Sequence, residues 1–112
     1  MRRTALYPVG ALVLALVSAP VLMAPAAVGA TAPEKAQTCV VCHGEDGLSK
    51  IPNAPHIAGQ PEMYLVKSLE AYRGGERKDE MMSVIAKELT DADIAALAAW
   101  YSAFEITAKV PK

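Results

Sequence analysis

The stretch Cys39-Val40-Val41-Cys42-His43 constrains this chain more than any other. Two thiols separated by two residues, with a histidine directly after the second, form the pattern of c-type haem attachment. The spacing follows from the chemistry. Each thiol adds to one vinyl group of the porphyrin, so the two anchors must sit about one helical turn apart on one face. The adjacent histidine then presents an imidazole to the iron from the same side. Both cysteines of the chain lie within this pattern.

Other readings of the same residues are weaker. A thioredoxin-like dithiol needs a preceding strand and a βαβ pattern, and no strand-like alternation surrounds Cys39. A zinc site needs four ligands, and the candidates Cys39, Cys42, His43 and His56 include two sequence neighbours that share one ion poorly. A Cys39–Cys42 disulfide closes a loop too short to stabilise much.

Residues 1–30 are set apart by composition. Arg2 and Arg3 precede an uncharged apolar run, and Val28-Gly29-Ala30 ends it with small residues. This is the layout of a signal peptide, or of a membrane anchor if it is left uncleaved. Pro8, Pro20 and Pro25 favour cleavage, which after Ala30 would leave 82 of the 112 residues. Either way the functional part, residues 31–112, is expected outside the cytoplasm, in the periplasm. Losing Arg2 and Arg3 leaves 9 basic side chains against 12 acidic ones, a net charge of −3. That balance offers no basic face for nucleic acid. The 53% hydrophobic fraction is inflated by the leader, and one Phe and one Trp make a small core. A domain of this size needs a staple, and a covalently held porphyrin supplies one.

Along the remaining chain the signals are helical. Pro33 to His43 reads as a first helix, with Pro33 at its start and Glu34 at the positive end of its dipole. Gly44 and Gly47 break it, and Pro52, Asn53, Pro55 and Gly59 mark an ordered loop. A second helix restarts at Pro61 with Leu65, Leu69 and Tyr72 at helical spacing and stops at Gly74-Gly75. A polar connector, 76–80, leads into a short helix from Met81 to Leu89. Thr90 and Asp93 form a capping-box signature for a last helix that carries Ile94, Leu97, Ala98 and Tyr101 on one face and ends near Phe104. The expected fold is a single all-α domain of three to five helices.

Taken together these residues resemble the class I cytochromes c, in their small bacterial periplasmic monohaem branch. The resemblance rests on Cys39-Val-Val-Cys42-His43-Gly44-x-x-Gly47, Pro55-His-Ile57-Ala58-Gly59-Gln60, Tyr64-Leu65, Gly75-Glu-Arg77 and Leu89-Thr90-Asp91-x-Asp93-Ile94-Ala-Ala-Leu97-Ala-Ala-Trp100. It implies one haem c, bound through Cys39 and Cys42, with His43 and Met82 as axial ligands to the iron. Met81 competes for the second role, but Met82 matches the family register relative to Arg77 and Leu89. The resemblance further implies that the Pro55 carbonyl accepts from the His43 ring and that Ile57 and Leu97 pack on the porphyrin. Arg77 and Tyr64 are candidate partners for its propionates, against the default readings of a surface arginine and a half-buried core tyrosine. Thr31 and Lys35 depart from the family, which often carries a glycine and an aromatic there to form the crossing with the last helix. Trp100 stands where tyrosine is usual, a packing residue or a propionate donor. His56 is expected to face solvent.

The function implied is one-electron transfer with no substrate chemistry. The alternatives are the haem-bearing cytochrome subunit of a flavin-linked dehydrogenase of the sulfide dehydrogenase type, and a peroxidase, which needs an open iron site. Expected partners are redox proteins: a donor dehydrogenase or flavoprotein and an acceptor oxidase or reductase, with the membrane involved only if the leader stays uncleaved. Val40, Val41, Ile51 and Pro52, with Lys50 nearby, form the expected docking patch.

Overall fold

The computed structural model describes residues 31–112, so the leader reading of residues 1–30 lies outside the described residues. Four helices follow one another: α1 (Ala36–His43), α2 (Glu62–Gly74), α3 (Met82–Lys87) and α4 (Asp91–Ser102). No strand occurs among the described residues, which agrees with the all-α expectation and removes the context a thioredoxin-like dithiol needs. None of these helices is long and apolar enough to cross a membrane.

α1 begins three residues later than the sequence suggested. Pro33, Glu34 and Lys35 instead form an entry turn, in which the amides of Ala36, Gln37 and Thr38 donate three residues back at 2.9, 3.2 and 3.2 Å. This tighter i→i−3 pattern is common at helix starts. The helix ends as expected, with Gly44 at φ 81°. α2 stops at Gly75, whose φ of 85° and ψ of 4° lie in the left-handed region open to glycine.

α3 has only six residues and is too short to stand on its own hydrogen bonds. α4 starts from a complete capping box, the Thr90 hydroxyl accepting from the Asp93 amide while Asp93 accepts from the Thr90 amide. It ends at Ser102, two residues before the expected Phe104.

The core is small: Ala36, Leu65, Leu89, Ile94, Leu97, Ala98 and Tyr101, with Cys39, Ile57, Val66, Leu69, Trp100 and Phe104 packed against it. α4 packs chiefly on α2, and α2 on α3. α1 reaches the core through Ala36, which is 1% exposed, while Lys35 stays on the surface. Contact between α1 and α4 is narrow. Trp100 packs edge-on against Phe104 at 5.3 Å. At the far end of the bundle Arg73 donates to the Leu89 carbonyl (3.0 Å) and pairs with Asp91 (2.6 Å), tying α2 to the α3–α4 turn.

Candidate haem-binding site

One cavity of about 330 Å³ is enclosed by residues of all four helices and the 51–57 loop. Cys39, Cys42 and His43 from α1, Pro55 and Ile57 from the loop, Met82 from α3 and Leu97 from α4 all line it, as does Met81. The sequence-derived site residues therefore converge on one place, although they are spread from residue 39 to residue 97.

α1 delivers the attachment motif. Both thiols are free, partly buried and one helical turn apart. His43, at 6% exposure, ends the helix. Its Nδ1 lies 2.8 Å from the Pro55 carbonyl oxygen. A carbonyl can only accept, so Nδ1 carries the proton and the Nε2 lone pair is left for a metal. His56, one residue on, is exposed and does not line the cavity, which removes it as a rival ligand and as a fourth zinc ligand.

The loop that presents Pro55 and Ile57 is pinned at Gly47. The Gly47 carbonyl accepts from the amides of Ile57 (2.8 Å) and Ala58 (3.1 Å). The Gly59 amide then donates to the Tyr101 carbonyl at 2.9 Å, fastening the loop to α4. Ser49, also buried, donates to the Cys42 carbonyl at 2.9 Å.

At the rim, Arg77 lies over the Tyr72 ring at 4.6 Å. Arg77 and Ser68 lie beside the Tyr64 hydroxyl and hold its pKa below the usual tyrosine range. Tyr64 is more exposed (51%) than a core tyrosine would be, and it lines the cavity with Arg77 and Tyr72. A cation between two phenols suits an anionic group such as a carboxylate.

Sequence reasoning missed two contributors. Tyr101 was placed only on the core face of the last helix. It is 2% exposed and lines the cavity, and its hydroxyl has no partner among the described residues. The hydroxyl lies beside the Cys39 sulfur without good hydrogen-bond geometry. Burial raises the Cys39 pKa while this hydroxyl opposes the shift, and burial raises that of Tyr101 strongly. Its position one turn after Leu97 was the available signal. Asp79 was read as part of a polar connector, yet its Oδ1 accepts from the amides of both Met81 and Met82 at 2.9 Å. Those two bonds hold its carboxyl below the usual range. An Asp-x-x-x-Ser pair flanking the methionines was the signal there.

A cavity with paired thiols, an imidazole of set tautomer, two thioethers and an orphaned buried hydroxyl fits a haem in its donor set. The family comparison agrees, since the family model described as Cytochrome c matches residues 27–102. The chain belongs to the cytochrome c family. It is therefore a haem electron-transfer protein rather than an enzyme, and its cofactor is a haem c held through Cys39 and Cys42. Cytochrome c-554(548) of Halomonas halodenitrificans is 45% identical over 75 residues, covering 64% of this chain and 90% of that protein. A thiosulfate dehydrogenase electron acceptor of Thiomonas intermedia is 40% identical over 82 residues, covering 71% of this chain but 37% of its relative. Among solved structures, cytochrome c4 of Acidithiobacillus ferrooxidans matches with a TM-score of 0.57 and 35% identity, over 59% of this chain and 38% of that one. The chain thus spans well under half the length of the last two.

Proposed function

We propose that this cytochrome is an exported, periplasmic one-electron carrier whose iron is held by His43 and Met82. The observation that carries the ligand assignment is the His43 Nδ1 to Pro55 carbonyl bond of 2.8 Å, which leaves Nε2 as the metal-facing nitrogen in a cavity that also receives Met82. The haem supplies a one-electron couple, and a thioether ligand favours its ferrous state. The protein holds the ring nitrogen and the sulfur ready, so little has to reorganise as charge changes. Ile57 and Leu97 line the cavity with apolar surface that would exclude water, while Arg77 and Tyr64 at the rim would receive the propionates. Ligation by both His43 and Met82 would leave the iron no open position for peroxidase chemistry.

Two relatives named as electron acceptors of thiosulfate dehydrogenase favour a dehydrogenase as donor, with an oxidase or reductase as acceptor. Service as the cytochrome subunit of a flavin-linked dehydrogenase is the second reading. Its support is that a chain of this shape matches only part of larger redox proteins.

The ligand assignment is tested with the ferric holoprotein, whose sulfur–iron bond gives a weak far-red absorption. Met82→Ala abolishes that absorption and Met81→Ala, at a residue 59% exposed, retains it. The opposite pattern would move the ligand to Met81.

A further inference from the structure

The loop before α3 carries more structure than its polar sequence suggests. One carboxylate oxygen, Asp79 Oδ1, accepts from the backbone amides of Met81 and Met82, each at 2.9 Å. The Asp79 amide donates to the Ser83 hydroxyl at 3.0 Å, and the Ser83 amide returns to the Asp79 carbonyl at 3.1 Å. Four hydrogen bonds thus lock Asp79 to the turn that holds both methionines.

Those amides have no other source of order. Met82 is the first residue of α3, and the opening amides of a helix lack partners within it. Six residues of helix do not hold their own first turn. Side chains one position apart on a helix point about 100° apart, and both methionines line the cavity, so the orientation of this turn determines which sulfur is presented to its centre. A bond from an anionic oxygen is about twice as strong as a neutral one, and it fixes both amides against the same atom.

We propose that Asp79 is the positioning residue of the sixth-ligand loop: by holding the Met81 and Met82 amides it sets which sulfur meets the iron and how rarely that sulfur lets go. The inference rests on reading a methionine of this pair as axial ligand. An outside ligand reaches the iron only in the fraction of molecules whose loop has opened, so its apparent affinity rises with that fraction.

The test is titration of the ferric holoprotein with imidazole, read by loss of the far-red sulfur–iron absorption. Loss of a carboxylate that holds the opening amides of a helix is in the range that shifts such an opening about tenfold. Asp79→Ala therefore binds imidazole about tenfold more tightly than the parent. Asp79→Asn, which keeps an acceptor oxygen but loses the charge, gives a rise of about two- to threefold and serves if the alanine variant does not load haem. Thr90→Ala removes the cap of α4 without touching the Met81 and Met82 amides. It lowers the melting temperature but leaves imidazole affinity unchanged. Parent-like titration of both Asp79 variants, or an equal rise in Thr90→Ala, would overturn the proposal, because the cap would then add only general stability. Met82→Ala and Met81→Ala separate this outcome from a misassigned ligand. If the absorption depends on Met81 instead, the ligand assignment falls, while Asp79, bonded to both amides, still gives the tenfold change.

Discussion

Gly47 is where the attachment helix, the loop and α4 meet, and replacing it by alanine probes the whole site. Its φ is +72°, and a Cβ there would lie 2.8 Å from the Ala58 amide nitrogen and 3.0 Å from Tyr101 Cδ1. A left-handed backbone alone costs a non-glycine residue about 1–2 kcal/mol. The nearest obstacle is backbone, so relief requires the loop to move, and the movement strains the two bonds that the Gly47 carbonyl accepts from Ile57 and Ala58. Each such bond contributes about 0.5–1.5 kcal/mol net. The combined loss is about 2–5 kcal/mol, a large share of the roughly 5–15 kcal/mol that holds a domain together.

Gly75→Ala is the matched control, because its φ of +85° is similar while nothing lies within 4 Å of its added Cβ. It pays the backbone strain alone. In urea unfolding of the ferric holoprotein, followed by haem absorbance, a slope near 1 kcal/mol per molar gives roughly a 1–2 M lower midpoint for Gly75→Ala. Gly47→Ala falls further, by roughly 2–5 M at the same slope. Equal shifts in the two variants would refute the reasoning, since the loop would then not be pinned by this contact.

Three further outcomes are expected. Asp93 has a folded pKa below the usual value, chiefly because it accepts from the Thr90 amide, so its contribution is present above the unfolded value of about 3.9 and is lost as pH falls through the folded one. Asp93→Asn should therefore lower the melting temperature at pH 7, with the gap to the parent narrowing on acidification; a gap independent of pH would show that the charge contributes nothing. Val41 stands 78% exposed beside the attachment cysteines, so Val41→Lys should slow electron transfer to the native partner, with only a modest dependence on salt. An unchanged rate together with a steep fall on adding salt would place docking elsewhere. N-terminal sequencing of the native protein should begin at Thr31, whereas an intact leader in the membrane fraction would make this an anchored carrier.

The attachment motif was legible in the sequence because its chemistry is local: two thiols and an imidazole must sit within one turn of helix, and that spacing survives in one dimension. The helix stops at Gly44 and Gly75 and the Thr90–Asp93 box were legible for the same reason, each being set by residues a few positions apart. Pro55, Ile57, Leu97 and Met82 came from family resemblance rather than spacing, and they line one cavity with Cys39 and His43.

Other features depended on the tertiary structure. Pro33 suggested an early helix start, but the first turn is tighter, its amides bonding three residues back, and the α-helix proper begins at Ala36, which is buried in the core. Tyr101 looks like any core aromatic until folding sets its hydroxyl beside Cys39 with no partner among the described residues. Asp79 looks like any surface acid until the turn closes and two adjacent methionine amides point at one oxygen. Local bonding is written in neighbouring residues, whereas the lining of a cavity and the aim of a ligand depend on which distant groups the packed chain brings together.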